Sequence, residues 1–191
     1  MTATPNFHGQ CATILHRKGE TTERLGRQLQ LLGFGVDVRW APLDQTTGCD
    51  VVLVDADEGW DGLLPWSAAD KPVPLVALLG SEAPGRIAWA LDRGADALIA
   101  KPVAPSAVFP ALVMATRRFA ETRETAERMA ELEERVRLRP LVLNAVRHLM
   151  AARNCAEDEA YRHLRRESMR QRLALEQCAA AILGSDRART G

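Results

Sequence analysis

The chain has 191 residues, 47% of them hydrophobic, with 25 basic and 25 acidic side chains and no formal net charge. That length makes one large domain or two small ones, and that hydrophobic share excludes an intrinsically disordered chain. No apolar run approaches the ~20 residues of a membrane span, and the opening MTATPNFHGQ lacks the basic and apolar parts of a secretory leader, so a cytoplasmic location is expected. The cysteines at 11, 49, 155 and 178 contain no CxxC pair. This excludes a zinc ribbon and argues against a disulfide scaffold.

The charge is unevenly placed. Residues 1–116 carry 9 basic and 13 acidic side chains, whereas residues 117–191 carry 16 arginines, no lysine and 12 acids. Residues 135–175 hold 10 arginines against 4 acids. The second half could meet a phosphate backbone and the first half is poorly suited to it.

Residues 1–9 are expected to be disordered. Ala12–Leu15 reads as a short strand. Leu25, Leu29 and Leu32 mark one face of a helix from Thr22 to Leu32, stopped by Gly33. Val36–Trp40 reads as a second strand, and Val51–Val54 and Leu75–Leu79 as buried central ones. A helix fits Arg86–Arg93, ended by Gly94, and Ala97–Ala100 is a fifth strand. Between Val51–Val54 and Leu75–Leu79, residues 57–73 are the weak spot of the pattern, where Gly, Pro and two Trp make a helix hard to place. Strands alternating with helices predict a doubly wound, five-stranded parallel sheet over residues 10–116. Residues 117–139 continue as a long helix, with Phe119, Thr122, Ala126, Met129, Glu133 and Val136 at 3-4 spacing. A stripe this long needs a partner, so a dimerising coiled coil through Phe119, Ala126, Met129 and Val136 is expected, with a lone charged helix as the alternative.

Pro140 is expected to restart the chain. Leu141–Ala152 reads as a helix, Asn154 as a turn, and Glu157-Asp158-Glu159 as the opening of a second helix to about Arg166. Ser168 with Gln171 suggests a capping box for a third helix ending at Leu183-Gly184. Residues 140–184 thus form a three-helix unit, with Leu149, Met150, Leu164, Met169, Ala179 and Ile182 as its core and 185–191 as a disordered tail.

Asp55 closes the strand in DVVLVDAD, and Lys101 follows the last strand, the edge of an open α/β sheet where ligands sit. With GADALIAKP, residues 94–102, these make residues 10–116 resemble a response-regulator receiver domain. That resemblance implies phosphorylation of an aspartate with Mg²⁺, a hard cation needing oxygen ligands. Yet the family's two carboxylates after the first strand are replaced by His16-Arg17-Lys18, and its Thr or Ser after the fourth strand by Leu79, with Gly80 and Ser81 next. Asp55 and Lys101 are therefore expected to be a vestigial phospho-acceptor pair without a metal.

Gly33-Phe34-Gly35 follows a helix and precedes a strand, the wrong order for a phosphate cradle. No nucleophile and base can be assembled, so neither an enzyme nor a cofactor is expected.

Residues 144–183 resemble the ANTAR domain of the AmiR/NasR transcription antiterminators. The matching residues are Ala145, Leu149 and Met150, the Asn154 turn, Ala160-Tyr161 with Leu164-Arg165, Ser168-Met169, and Ala179 with Ile182. Where that family often has Lys after the first-helix Ala, this chain has Val146. The layout of degenerate receiver, long helix and ANTAR unit is similar to the AmiR branch. The resemblance implies antitermination by binding of two hairpins in a leader RNA. It also implies control by a ligand-sensing, AmiC-like protein of periplasmic-binding-protein-like fold in an amide-responsive operon. Unpaired loop bases can be splayed, stacked and hydrogen-bonded. The candidate RNA contacts are Arg147, Tyr161, Arg162, Arg165, Arg166, Ser168, Arg170 and Arg172, with Arg153 beside them. Alternatively, these arginines solvate the bundle by pairing with Glu157, Asp158, Glu159 and Glu167, and Tyr161 is core. The competing function is a phosphorylation-dependent response regulator with Asp55 as acceptor.

Overall fold

The structure is a computed structural model describing residues 5–43 and 48–187, the side chains of 185–187 excepted. It divides into two compact units, Met1–Arg123 and Glu124–Gly191.

The first unit is built on five parallel strands: β1 (Cys11–Leu15), β2 (Gly35–Arg39), β3 (Val51–Asp55), β4 (Leu75–Leu79) and β5 (Ala97–Ala100), in the order β2-β1-β3-β4-β5. All neighbours run parallel, which buries β3 and β4 on both faces. Their continuous apolar runs follow from that burial.

On one face, α1 (Glu20–Leu31) lays Leu25 and Leu29 against Ile14, Leu53 and Leu78. The first turns of the long helix α3 (Pro105–Arg153) add Val108, Leu112 and Ala115 to the same layer. On the other face, α2 (Pro84–Asp92) packs Ala90 against a layer that contains Val52, Val54, Leu63 and Ala77. Each fully buried Leu or Ile contributes about 1.5–3 kcal/mol of hydrophobic stabilisation. No helix forms between β3 and β4. An irregular segment instead buries Leu63 and Leu64 and is pinned by Arg86, whose Nη1 donates to the Gly59 carbonyl at 2.9 Å.

Residues 5–9 correct the expectation of a disordered N-terminus. Phe7 is buried and stacks on Phe34 with ring centroids 4.9 Å apart, and Gly9 N–H donates to the Gly33 carbonyl at 3.0 Å. Gly33 has φ +93°, and a Cβ there would lie 2.9 Å from the His8 Cα, so the turn after α1 requires glycine. The expectations for 1–4 and 188–191 lie outside the described residues.

In the second unit, α3 continues unbroken to Arg153, so Pro140 does not restart the chain. Proline removes one backbone hydrogen bond and crowds the preceding turn, a local defect that the apolar face beyond it (Leu141, Ala145 and Leu149) outweighs. Asn154, with φ 50°, turns the chain into α4 (Glu157–Gln171), whose first turn places three acids at the positive end of the helix dipole.

The second helix is longer than expected. Ser168 lies inside α4 rather than capping a third helix, and the real break is Arg172, a left-handed cap with φ 56°. From there α5 (Leu175–Arg187) runs past the expected end at Gly184, so 185–187 are helical. The core joins Ala145, Val146 and Leu149 of α3, Ala160 and Leu164 of α4, and Cys178 and Ala179 of α5, with Met150 and Ile182 at its border. Met169, expected in this core, is instead 63% exposed.

Candidate nucleic-acid interface and receiver-like pocket

The receiver-like pocket lies at the C-terminal ends of β1, β3, β4 and β5. Lys101 Nζ reaches Asp55 Oδ1 at 2.8 Å, and it also reaches Asp57 Oδ2 at 2.6 Å. The same Asp55 oxygen accepts the Asp57 N–H at 3.0 Å. The other, Oδ2, faces His16 Nε2 at 3.1 Å, while His16 Nδ1 lies 2.7 Å from the Arg17 carbonyl, to which it donates. Arg17 turns outward to Glu58, 2.6 Å away.

Asp57 is the residue that sequence reasoning passed over. Its Oδ2 accepts the Gly80 N–H at 2.6 Å and its Oδ1 the Ser81 N–H at 3.2 Å. Burial pushes its carboxyl up, but the Lys101 ammonium and the two amides outweigh this and hold it below the usual carboxylate range. Burial likewise lowers Lys101, and the two aspartates more than restore it, leaving its ammonium above its ordinary value. The available signal was DAD itself, with a second carboxylate two residues past the strand end.

These residues do not fit the Mg²⁺ that a working receiver would need. Both Asp55 oxygens and both Asp57 oxygens face N–H groups, an ammonium or an imidazole, and His16 stands on the side where an oxygen ligand would be required. Among the described residues, no group of three or more His, Cys, Asp or Glu is arranged to hold a metal ion. Ser81 does not supply the switch hydroxyl, because its Oγ accepts the Ala83 N–H at 3.1 Å.

The second site is the outer face of α4. Tyr161, Arg165 and Met169 recur at i, i+4 and i+8, and all three are exposed, Tyr161 by 43%. Arg162, Arg166 and Arg170 form the adjacent stripe. Core packing of Ala160 and Leu164 fixes this orientation: at 3.6 residues per turn the Tyr161 stripe flanks the buried one by about 100°, and the Arg162 stripe lies nearly opposite it.

Only part of the basic set is paired. Arg170 forks onto Glu167 at 2.5 and 3.1 Å, Arg153 leans on His163 at 3.2 Å, and Arg162 donates to the Asp158 carbonyl at 3.1 Å. Among the described residues, no carboxylate lies within ion-pair distance of Arg147, Arg165, Arg166 or Arg172. Of the alternative pairing, only Arg170 with Glu167 is formed among the described residues, none of these arginines pairing with the Glu157, Asp158 or Glu159 carboxylates, and Tyr161 is 43% exposed and not core. Ser168 leaves the candidate set: it is 8% exposed, and its hydroxyl donates to the Leu173 carbonyl at 3.0 Å, closing the turn into α5. Val146 is buried and offers no contact in place of a lysine.

On α3, Ala126, Met129, Leu132 and Val136 are exposed, at 57%, 51% and 59% for the last three. Phe119 belongs partly to its own unit, with Lys71 Nζ 5.6 Å and Arg123 Cζ 5.8 Å from its ring centre.

Comparison with known proteins agrees with this division. The family described as AmiR, N-terminal, matches residues 11–116, and the ANTAR domain family matches residues 130–183. The chain is 28% identical over 177 residues to the aliphatic amidase regulator of Pseudomonas aeruginosa, covering 91% of this chain and 90% of that protein. It is 29% identical over 116 residues to the transcriptional regulatory protein PdtaR of Mycobacterium tuberculosis, covering 61% and 57% of the two. The solved structure of the response regulator StyR superposes with a TM-score of 0.52 at 17% identity, over 92% of this chain and 98% of that one, a likeness of fold. A receiver-like sheet whose pocket is closed by its own side chains, joined to a helical unit with the ANTAR sequence, makes this chain a member of the AmiR family of ANTAR-containing antitermination regulators.

Proposed function

We propose that the chain binds a leader RNA and prevents transcription termination there, under the control of a ligand-sensing protein partner rather than of phosphorylation. The observation that carries this is the exposed face of α4, where Tyr161 and Met169 flank Arg165 with no carboxylate in range among the described residues. A phenol beside a planar guanidinium can stack and hydrogen-bond unpaired loop bases, while neighbouring arginines hold phosphates. Two such units, joined as a homodimer through the exposed stripe of α3, would address two hairpins with the gain of a tethered second site. The partner is expected to be an AmiC-like sensor of periplasmic-binding-protein-like fold, whose small-molecule ligand sets access to the RNA. The role is regulatory and not enzymatic.

The test is titration of the full chain with its own operon's leader transcript across a salt series. Arg165→Ala and Tyr161→Ala are each expected to weaken binding roughly tenfold while leaving the fold intact, each good contact being worth about 1–3 kcal/mol. For Arg165→Ala, the logarithmic salt slope falls by about 0.7 if a phosphate is lost. Unchanged affinity in both variants would remove α4 from the interface. The reading with Asp55 as phospho-acceptor draws on the Asp55–Lys101 contact. It requires mass addition from acetyl phosphate that Asp55→Asn abolishes.

A further inference from the structure

The receiver-like pocket contains a complete anion cradle. Gly80 and Ser81 contribute two successive backbone N–H groups at the end of β4, and Lys101 contributes an ammonium from the end of β5. Successive amides converging with a cation form a concave site for an oxyanion. What lies in it is the Asp57 carboxylate, with both oxygens engaged at 2.6–3.2 Å.

The cradle is shaped for this occupant. A Cβ at Gly80 would stand 3.1 Å from Asp57 Oδ2 and 3.2 Å from Lys101 Cε, closer than ordinary contact, so a larger residue would press on the ends of both side chains where they meet. The segment after β3 is tied in further by the Asp57 N–H, which donates to Asp55.

We infer that Asp57 is the resident anion of an oxyanion-binding site beside Asp55, filling the position that phosphate would otherwise take. Three consequences follow. The loops after β3 and β4 are clamped to each other by the chain itself. Phosphate or a phosphoryl donor finds no vacant N–H beside Asp55. Removal of the Asp57 side chain opens a site whose ligand class is a tetrahedral oxyanion, inorganic phosphate first, held by Gly80 N, Ser81 N and Lys101 Nζ.

This inference is independent of RNA binding and is tested without RNA. The full-length wild type, Asp57→Gly and Asp57→Gly/Lys101→Met are titrated with inorganic phosphate at constant ionic strength, with thermal unfolding and the Gly80 and Ser81 amide resonances as readouts. The expected result is no saturable response in the wild type. Asp57→Gly should show a saturable rise in Tm and shifts of both amides, and adding Lys101→Met should weaken phosphate at least tenfold. Wild-type binding as tight as that of the variant would overturn the inference. So would a folded Asp57→Gly that ignores phosphate. If Asp57→Gly does not fold, hydrogen exchange on the wild type decides. Slow exchange of both the Gly80 and Ser81 amides supports the clamp, and exchange at open-loop rates overturns it.

Discussion

Lys101→Met is the most informative single perturbation of the first unit. The ammonium bridges Asp55 and Asp57 at 2.8 and 2.6 Å, with the lysine 18% and Asp55 3% exposed. Methionine keeps the stem and removes the charge, leaving two carboxylates on one another's doorstep. Stripping one partner from a buried ion pair costs about 3–5 kcal/mol. The low end applies here, because Asp57 keeps two amides and Asp55 keeps the Asp57 amide. A loss of about 3 kcal/mol in a unit of this size lowers Tm by about 10 °C.

The assay is built into the sequence. All four tryptophans (40, 60, 66 and 89) lie in the first unit, so their fluorescence reports its unfolding separately from the helical unit. The pH dependence gives a second signature. Asp57 titrates below its ordinary range, so its contribution is full above the unfolded carboxylate value and is lost as pH falls through the lower folded one. Lys101 titrates above its ordinary range, so its contribution is full below the unfolded lysine value and is lost as pH rises through the higher folded one. The stability gap between wild type and variant is therefore flat from about pH 5 to about pH 9 and closes at both extremes. A Tm change under about 3 °C, or a gap that persists unchanged in acid, would refute the reasoning.

Two further predictions concern the second unit. Leu164→Ala empties a fully buried site in a core of few large side chains, costing about 3 kcal/mol. Circular dichroism should record helix loss at lower temperature while the tryptophan transition stays put, and a shift in both would mean that the two units unfold as one. Met129→Lys places a charge on the exposed stripe of α3 and is expected to convert a dimer to a monomer in sedimentation; a variant that remains dimeric places the interface elsewhere.

The central strands were legible because burial on both faces leaves unbroken apolar runs, Val51–Val54 and Leu75–Leu79; Ala97–Ala100 is also found where its apolar run marks it, though this edge strand is buried on one face only. Between β3 and β4 the Gly, Pro and Trp content made a helix hard to place, and the segment there is irregular. Helix ends were less so. Pro140 reads as a stop, but a proline defect is local and the apolar face on its far side carries α3 through. Ser168 reads as a cap, but a small hydroxyl can equally close the following turn from inside the helix, and only the position of Leu173 decides between them. The candidate sites divide in the same way. Asp55 and Lys101 were visible as strand-end residues, whereas Asp57 was visible only as the second carboxylate of DAD, and its place in the site depends on long-range contacts with Gly80 and Ser81. The arginines were visible by count, but which of them lack partners follows from helix faces that the misplaced break at Ser168 obscured.

The central claim is that the helical unit recognises RNA without phosphorylation. The most direct measurement is binding of the purified full-length chain to its own leader transcript with no phosphodonor present, with duplex DNA as competitor. The account predicts binding to a two-hairpin element that duplex DNA does not displace and that acetyl phosphate does not strengthen. Binding that appears only with acetyl phosphate, or that duplex DNA abolishes at equal concentration, would contradict it.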